Sequence, residues 1–286
     1  MKKSFLISLI ALVLFSCTKE INVDLPEPEK KIVIDGGIYT GAPAEINLTW
    51  STGYFDPVDS ASLANYLISN ATVVLHDGSF TDTLHPAINP NKPIPVVWRG
   101  NTILGQVNHT YTLTVVADGK TASATTKIYP PVLLDSVWFQ LEPPHDSLGY
   151  AWARMTDPAG IGNGYRWFTK RITKDADFMA PFGSAFDDKF IENTSFNFAY
   201  NRPSHQDSSA PEDNNDQAGF FIVGDTIVVQ FCAIGQQEVN FFRTYENVVA
   251  GNGNPFASPG VIKTNVDGGL GIFCGYSPTY DTIICH

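Results

Sequence analysis

The stretch Tyr111-Thr112-Leu113-Thr114-Val115-Val116-Ala117-Asp118-Gly119-Lys120-Thr121-Ala122-Ser123-Ala124-Thr125-Thr126-Lys127-Ile128-Tyr129 decides the fold class. Tyr111, Leu113 and Val115 alternate with threonines, the period of two that sends successive side chains to opposite faces of a strand. Asp118-Gly119 supplies residues that accept positive φ in a tight turn, and the polar segment Thr121–Tyr129 is the expected return strand. Upstream, IVIDGGIY from Ile32, EINLTW from Glu45 and ATVVLHD from Ala71 are similarly rich in β-branched and aromatic residues. About seven such segments in roughly a hundred residues, with turn residues between them, predict an immunoglobulin-like β-sandwich over 32–131. Pro130-Pro131 cannot continue a ladder and marks its end.

Outward from that boundary, residues 132–286 predict a second β-rich domain with at least one short helix. Strands are expected at Val132–Gln140, Tyr150–Thr156, Tyr165–Ile172, Phe190–Tyr200, Phe220–Phe231, Ile272–Tyr276 and Thr282–Cys285. The helix is expected at Glu238–Ala250, where Val239, Phe242, Tyr245, Val248 and Val249 recur at three- and four-residue spacings. Gly251-Asn252-Gly253 stops it. The fold class is thus mainly β. With 23 Gly, 19 Pro and 12% aromatic residues in 286, coiled coils, long helical bundles and global disorder are excluded.

The N-terminus carries an address. Lys2 and Lys3 precede an apolar run from Phe5 to Phe15, too short to cross a bilayer and characteristic of a signal peptide over 1–16. Leu14-Phe15-Ser16-Cys17 resembles the bacterial lipobox, which implies acylation of Cys17 as the mature N-terminus. Residues 17–31, with Pro26, Pro28 and mixed charges, then form an extended tether. Loss of Lys2 and Lys3 leaves 16 basic against 29 acidic side chains. A chain so acidic is a poor partner for nucleic acid or an anionic membrane surface, so attachment falls to the lipid. Thr18-Lys19-Glu20 resembles the signal that sends Bacteroidota lipoproteins to the cell surface.

The closing residues Asn254-Pro255-Phe256-Ala257-Ser258-Pro259 and Lys263-Thr264-Asn265-Val266-Asp267-Gly268-Gly269-Leu270-Gly271-Ile272-Phe273-Cys274-Gly275-Tyr276 resemble the C-terminal signature of a Bacteroidota lipoprotein family, domain of unknown function 4249. Ile32-Val33-Ile34-Asp35-Gly36-Gly37, Lys120–Thr126, Asp135-Ser136-Val137, Asp157-Pro158-Ala159-Gly160 and Gly224-Asp225-Thr226 match it too, so the resemblance spans nearly the whole mature chain. It implies an outer-membrane lipoprotein that accompanies a TonB-dependent transporter. The expected role is therefore non-enzymatic, as an accessory of a transporter or another outer-membrane barrel. A free-standing glycan- or protein-binding module or adhesin is the alternative, and a hydrolase with an unrecognised carboxylate site the third reading.

No residue pattern supplies a reaction. G-x-S-x-G, H-E-x-x-H, S-x-x-K and P-loop motifs are missing from the sequence, and the six histidines are scattered. No catalytic residue, cofactor or metal site is therefore expected. Four acidic side chains in His205–Gln217 lack EF-hand spacing, so a solvated loop is preferred there over a calcium site, and Asp187-Asp188 with Glu192 is read the same way. Gly160-Ile161-Gly162-Asn163-Gly164 is expected to be a tight turn. Beyond Cys17, three cysteines remain in an exported chain. Cys274 and Cys285, flanking an expected terminal turn at 277–281, are the preferred disulfide, with Cys232 as a buried free thiol. Core packing is expected for at least three of the five tryptophans.

Overall fold

A computed structural model of the chain describes residues 29–53, 62–90, 92, 94–203, 219–251 and 260–286. The signal peptide, Cys17, most of the tether, the acidic loop 205–217 and the 254–259 part of the signature lie outside the described residues.

The protein is mainly β, with 52% of residues in strands and 9% helical. The first half carries β1 (Ile32–Tyr39), β2 (Pro43–Trp50), a four-residue helix α1 (Leu63–Tyr66), β3 (Thr72–His76), β4 (Thr81–Ile88), β5 (Val96–Leu104), β6 (Thr110–Ala117) and β7 (Lys120–Lys127). The hairpin at Asp118-Gly119 forms as expected, with both turn residues at positive φ and Ala117 opposite Lys120. These strands make two layers joined by one bent strand. The first part of β4 pairs with β3, Val73 opposite Leu84, and its second part with β5, His85 opposite Arg99. Between the layers lies a core of Ile32, Ile34, Ile38, Ile46, Leu48, Val73, Leu75, Tyr111, Leu113 and Val115. The period-two pattern read from 111–115 is the inward face of this sandwich, and each large aliphatic side chain buried there contributes about 1.5–3 kcal/mol. The hydroxyl of Tyr111 ties the corner before its own strand, accepting from the Gln106 amide at 2.7 Å and donating to the Leu104 carbonyl at 3.4 Å, the contacts of a tyrosine corner.

The second half carries β8 (Ser136–Leu141), β9 (Leu148–Thr156), β10 (Gly164–Arg171), β11 (Ala185–Asp187), β12 (Ser195–Tyr200), β13 (Phe221–Ile222), β14 (Thr226–Ile234), helix α2 (Gln236–Gly251), β15 (Val266–Asp267) and β16 (Leu270–Ile284). Strands β8, β9, β12 and β13 form a small sheet. It packs on β10, β14 and the end of β16 through an aromatic core that includes Tyr165, Trp167, Phe221 and Phe231. Trp98 and Trp167 are buried and Trp50 packs against the first core. Trp138 and Trp152 instead stack on each other 5.9 Å apart. They sit on the outer face of the small sheet, since Ala151 and Ala153 on either side of Trp152 point inward.

Strand β16 joins the two halves. Its first part runs parallel to β1, Val33 opposite Leu270 through Tyr39 opposite Tyr276, and its second part runs antiparallel to β14, Ala233 opposite Ser277 through Thr226 opposite Ile284. The expected turn at 277–281 is not formed, because β14 supplies ladder partners to every residue there. That corrects the disulfide as well. Cys274 and Cys285 are free, buried thiols. They stand at opposite ends of one extended segment, where eleven rises of about 3.3 Å separate them far beyond disulfide reach. Cys232 is a buried free thiol, as expected.

The helix expected at Glu238–Ala250 extends over Gln236–Gly251. Val239, Phe241 and Phe242 bury against Cys232, Ile234, Ile272, Cys274 and Tyr276. Its first turn also carries the buried Glu238, whose Oε1 accepts from Thr126 Oγ1 at 2.6 Å while that hydroxyl accepts from the Gly275 amide at 2.8 Å. Helix, β7 and β16 meet in this relay. Burial raises the Glu238 carboxyl above the ordinary range against the opposing hydrogen bond from Thr126. A raised folded-state value means the contribution to stability is full below the unfolded value and is lost as pH rises through the folded one. Glu238→Gln, which keeps an acceptor and has no proton to lose, is expected to gain stability relative to the native chain as pH rises above the ordinary glutamate value of 4.5. Paired thermal melts on both sides of that value check this; a difference independent of pH would refute it.

Candidate functional site

Alternation along the strands leaves one face of the long sheet without a second sheet over it. On β1, Ile32, Ile34 and Ile38 point into the first core, so Val33, Asp35 and Tyr39 point to the other side. Their neighbours on that side follow from register: Asp35 stands between Asn47 on β2 and Ile272 on β16, and Tyr39 opposite Tyr276. Further along, Phe231 enters the second core while Gln230 and Cys232 take the opposite face of β14, with Arg166 opposite Cys232 on β10. Helix α2 covers the Ile272, Cys274 and Tyr276 part of this face. The rest of the face, with Tyr276 and Phe242 at the edge of the helix, is the floor of a cavity of about 960 Å³.

Two rims bound it. On the first half, Asn47 Nδ2 donates to the carbonyls of Ile94 and Val96 at 2.9 and 2.7 Å, and Asn89 Nδ2 to Glu45 Oε1 at 2.8 Å. On the second, the Gly183 amide donates to Glu246 Oε2 at 2.8 Å and the Tyr200 hydroxyl to the Gly183 carbonyl at 3.1 Å. Lys92 and Asp177, one from each rim, approach to 3.5 Å across the gap. An exposed pair of this kind contributes little stability; its geometry is that of a clasp.

The floor combines rings and charge. Tyr39 and Tyr276 stack at 4.6 Å. The Arg166 guanidinium lies 3.3 Å from the Phe242 ring centre and 4.8 Å from that of Phe168, and Nη1 donates to the Tyr276 hydroxyl at 3.2 Å. Arg166 Nε is buried with no hydrogen-bond partner. Asp35 is accessible to solvent although it lies deep among the two halves. That depth raises its carboxyl above the usual aspartate range, with the charges of Arg166 and Lys92 acting in the opposite direction. Burial likewise raises the phenols of Tyr39 and Tyr276, keeping both protonated and able to donate.

Other groups singled out in the sequence have structural partners. Asp187 pairs with Arg243 at 2.7 and 3.2 Å. Asp188 accepts the Gly162 and Asn163 amides at 2.8 Å each, which closes the glycine-rich turn, as expected of 160–164. Asp157 accepts from the Tyr165 hydroxyl and the Asn193 amide. Asp225 binds Lys174 at 2.6 Å. Among the described residues no group of three or more His, Cys, Asp or Glu side chains is arranged to hold a metal.

Sequence reasoning had not singled out Asp35 or Arg166 as site residues. Both carried a signal, a charge inside an otherwise apolar or aromatic strand: Ile32-Val33-Ile34-Asp35 and Tyr165-Arg166-Trp167-Phe168. No protein-family model matches the chain, and no curated protein matches it in sequence.

Proposed function

We propose that this chain is a non-enzymatic binding protein that captures a small solute in the cavity between its two halves while its N-terminal lipid holds it at the outer membrane. The observation that carries the reading is the cavity itself: about 960 Å³, within the ~300–1,000 Å³ usual for ligand pockets, with aromatic side chains in its walls and polar and charged ones interspersed among them. The lipobox resemblance at Leu14-Phe15-Ser16-Cys17 supports the membrane address, and the family resemblance supports service to a TonB-dependent transporter or another barrel. Confinement to the membrane plane would raise the effective concentration of loaded protein beside such a partner.

Native mass spectrometry of the full-length protein purified from its own membrane tests the capture. A small-molecule adduct is expected, and Val33→Trp, which fills the floor, is expected to abolish it while circular dichroism stays unchanged. An adduct-free native protein whose melting temperature no polar metabolite raises would refute the reading.

A further inference from the structure

We infer that the cavity takes a short peptide in zwitterionic form, its ammonium group at Asp35 and a carboxylate at Arg166. This rests on the capture reading above and names its ligand.

Several charges around the cavity are already satisfied by the protein itself. Lys92 has Asp177, and Glu45 has Arg99 at 3.6 Å and Asn89. Glu246 accepts the Gly183 amide, and Arg202 Nε donates to the Phe220 carbonyl at 2.8 Å. Asp35 differs, since it makes no hydrogen bond or ion pair with any described residue. Arg166 has a tyrosine hydroxyl and two rings as neighbours but no carboxylate within ion-pair distance among the described residues, and its buried Nε is unspent. The floor therefore presents a carboxyl group with no hydrogen-bond or ion-pair partner and a guanidinium with no carboxylate partner among the described residues.

Water can solvate both while the cavity is open, but a ligand that fills it displaces that water. A buried charge without a partner is costly, and removing one partner from such a pair is costlier than never having the pair. A simple amine would leave Arg166 uncompensated, and a simple carboxylate would leave Asp35 so. A neutral sugar would desolvate both. A molecule carrying both charges compensates both, and the planar guanidinium suits a carboxylate in particular. The size of the cavity favours a peptide of a few residues over a single amino acid, with Tyr39, Phe178 and Phe182 lining it beside the peptide's apolar side chains.

The test uses the full-length protein with three probes: a pool of random tripeptides, the same pool N-acetylated, and maltotriose, each followed by native mass spectrometry and thermal shift. Free tripeptides are expected to bind and acetylation to weaken them about ten- to a hundredfold, the range for hydrogen bonds to charged groups. Asp35→Asn is expected to weaken the free pool by a similar factor and leave the acetylated pool unaffected. Equal binding of the free and acetylated pools, or no effect of Asp35→Asn in a variant that melts as the native chain does, overturns the inference. Binding of maltotriose in place of every tripeptide overturns it while leaving solute capture intact. Absence of any adduct, native ligand included, overturns both.

Discussion

Gly271→Ala is expected to lower the unfolding free energy by roughly 3 kcal/mol or more, as a strained backbone and an overpacked contact each cost about 1–3 kcal/mol. Gly271 holds φ at +99°, and a Cβ there would stand 1.9 Å from the carbonyl oxygen of Ile34. That oxygen belongs to β1, the strand that β16 must approach for the two halves to share a sheet. Neither neighbour can retreat, because Ile34 is anchored in the first core and Ile272 and Cys274 under helix α2. Gly41→Ala is the control: it has φ +78° with nothing within 4 Å of the added Cβ, and is expected to show the backbone term alone, about 1–2 kcal/mol. Urea unfolding of both variants separates backbone strain from contact. Equal losses at the two positions would show that the β1–β16 approach is not tight.

The second large effect is expected at Phe231. Phe231→Ala should cost about 3–5 kcal/mol, the range for removing a buried phenylalanine ring. Its ring centre lies 5.4 Å from Tyr165, 6.2 Å from Phe186 and 6.1 Å from Phe198, so the void would be walled by rings that cannot all collapse into it. The residues on either side, Gln230 and Cys232, face the cavity side of β14. The variant is therefore expected to lose stability while leaving the capture proposed for the cavity intact. Trp167, in the same core, reports the opening by a red shift of its fluorescence on hydration. A loss below about 1 kcal/mol would mean that the second core repacks freely.

Much of the architecture was legible from local chemistry. The hairpin at 118–119, the strand alternation of 111–115 and the helix near 238–250 each depend on neighbours within a few residues, and each formed; the glycine-rich turn at 160–164 formed too, closed from a distance by Asp188. The long apolar run 220–231 was legible only in part. It divides into β13 and β14, because Asp225 accepts the Ile222 amide at 3.0 Å and folds a turn between them. The expected terminal hairpin failed for a different reason. Ser277-Pro278-Thr279-Tyr280-Asp281 has the composition of a turn, but β14 offers an open ladder, and pairing with it outweighs local preference.

The candidate site was hardly legible, since its members come from β1, β2, β10, β14, β16 and α2, segments up to about 240 residues apart along the chain. Spacing in sequence carries no information about such a grouping. The amino-acid sequence by itself determined that the chain is β-rich, where most of its turns and its helix fall, which side of the regular strands is apolar, and that the molecule is acidic. Tertiary structure alone decided that β16 returns to lie beside β1, and with it that Asp35 and Arg166 share one face. The reason is that strand pairing depends on which ladder edges remain open once the nearer strands have paired, a property of the assembled sheet rather than of any segment in it.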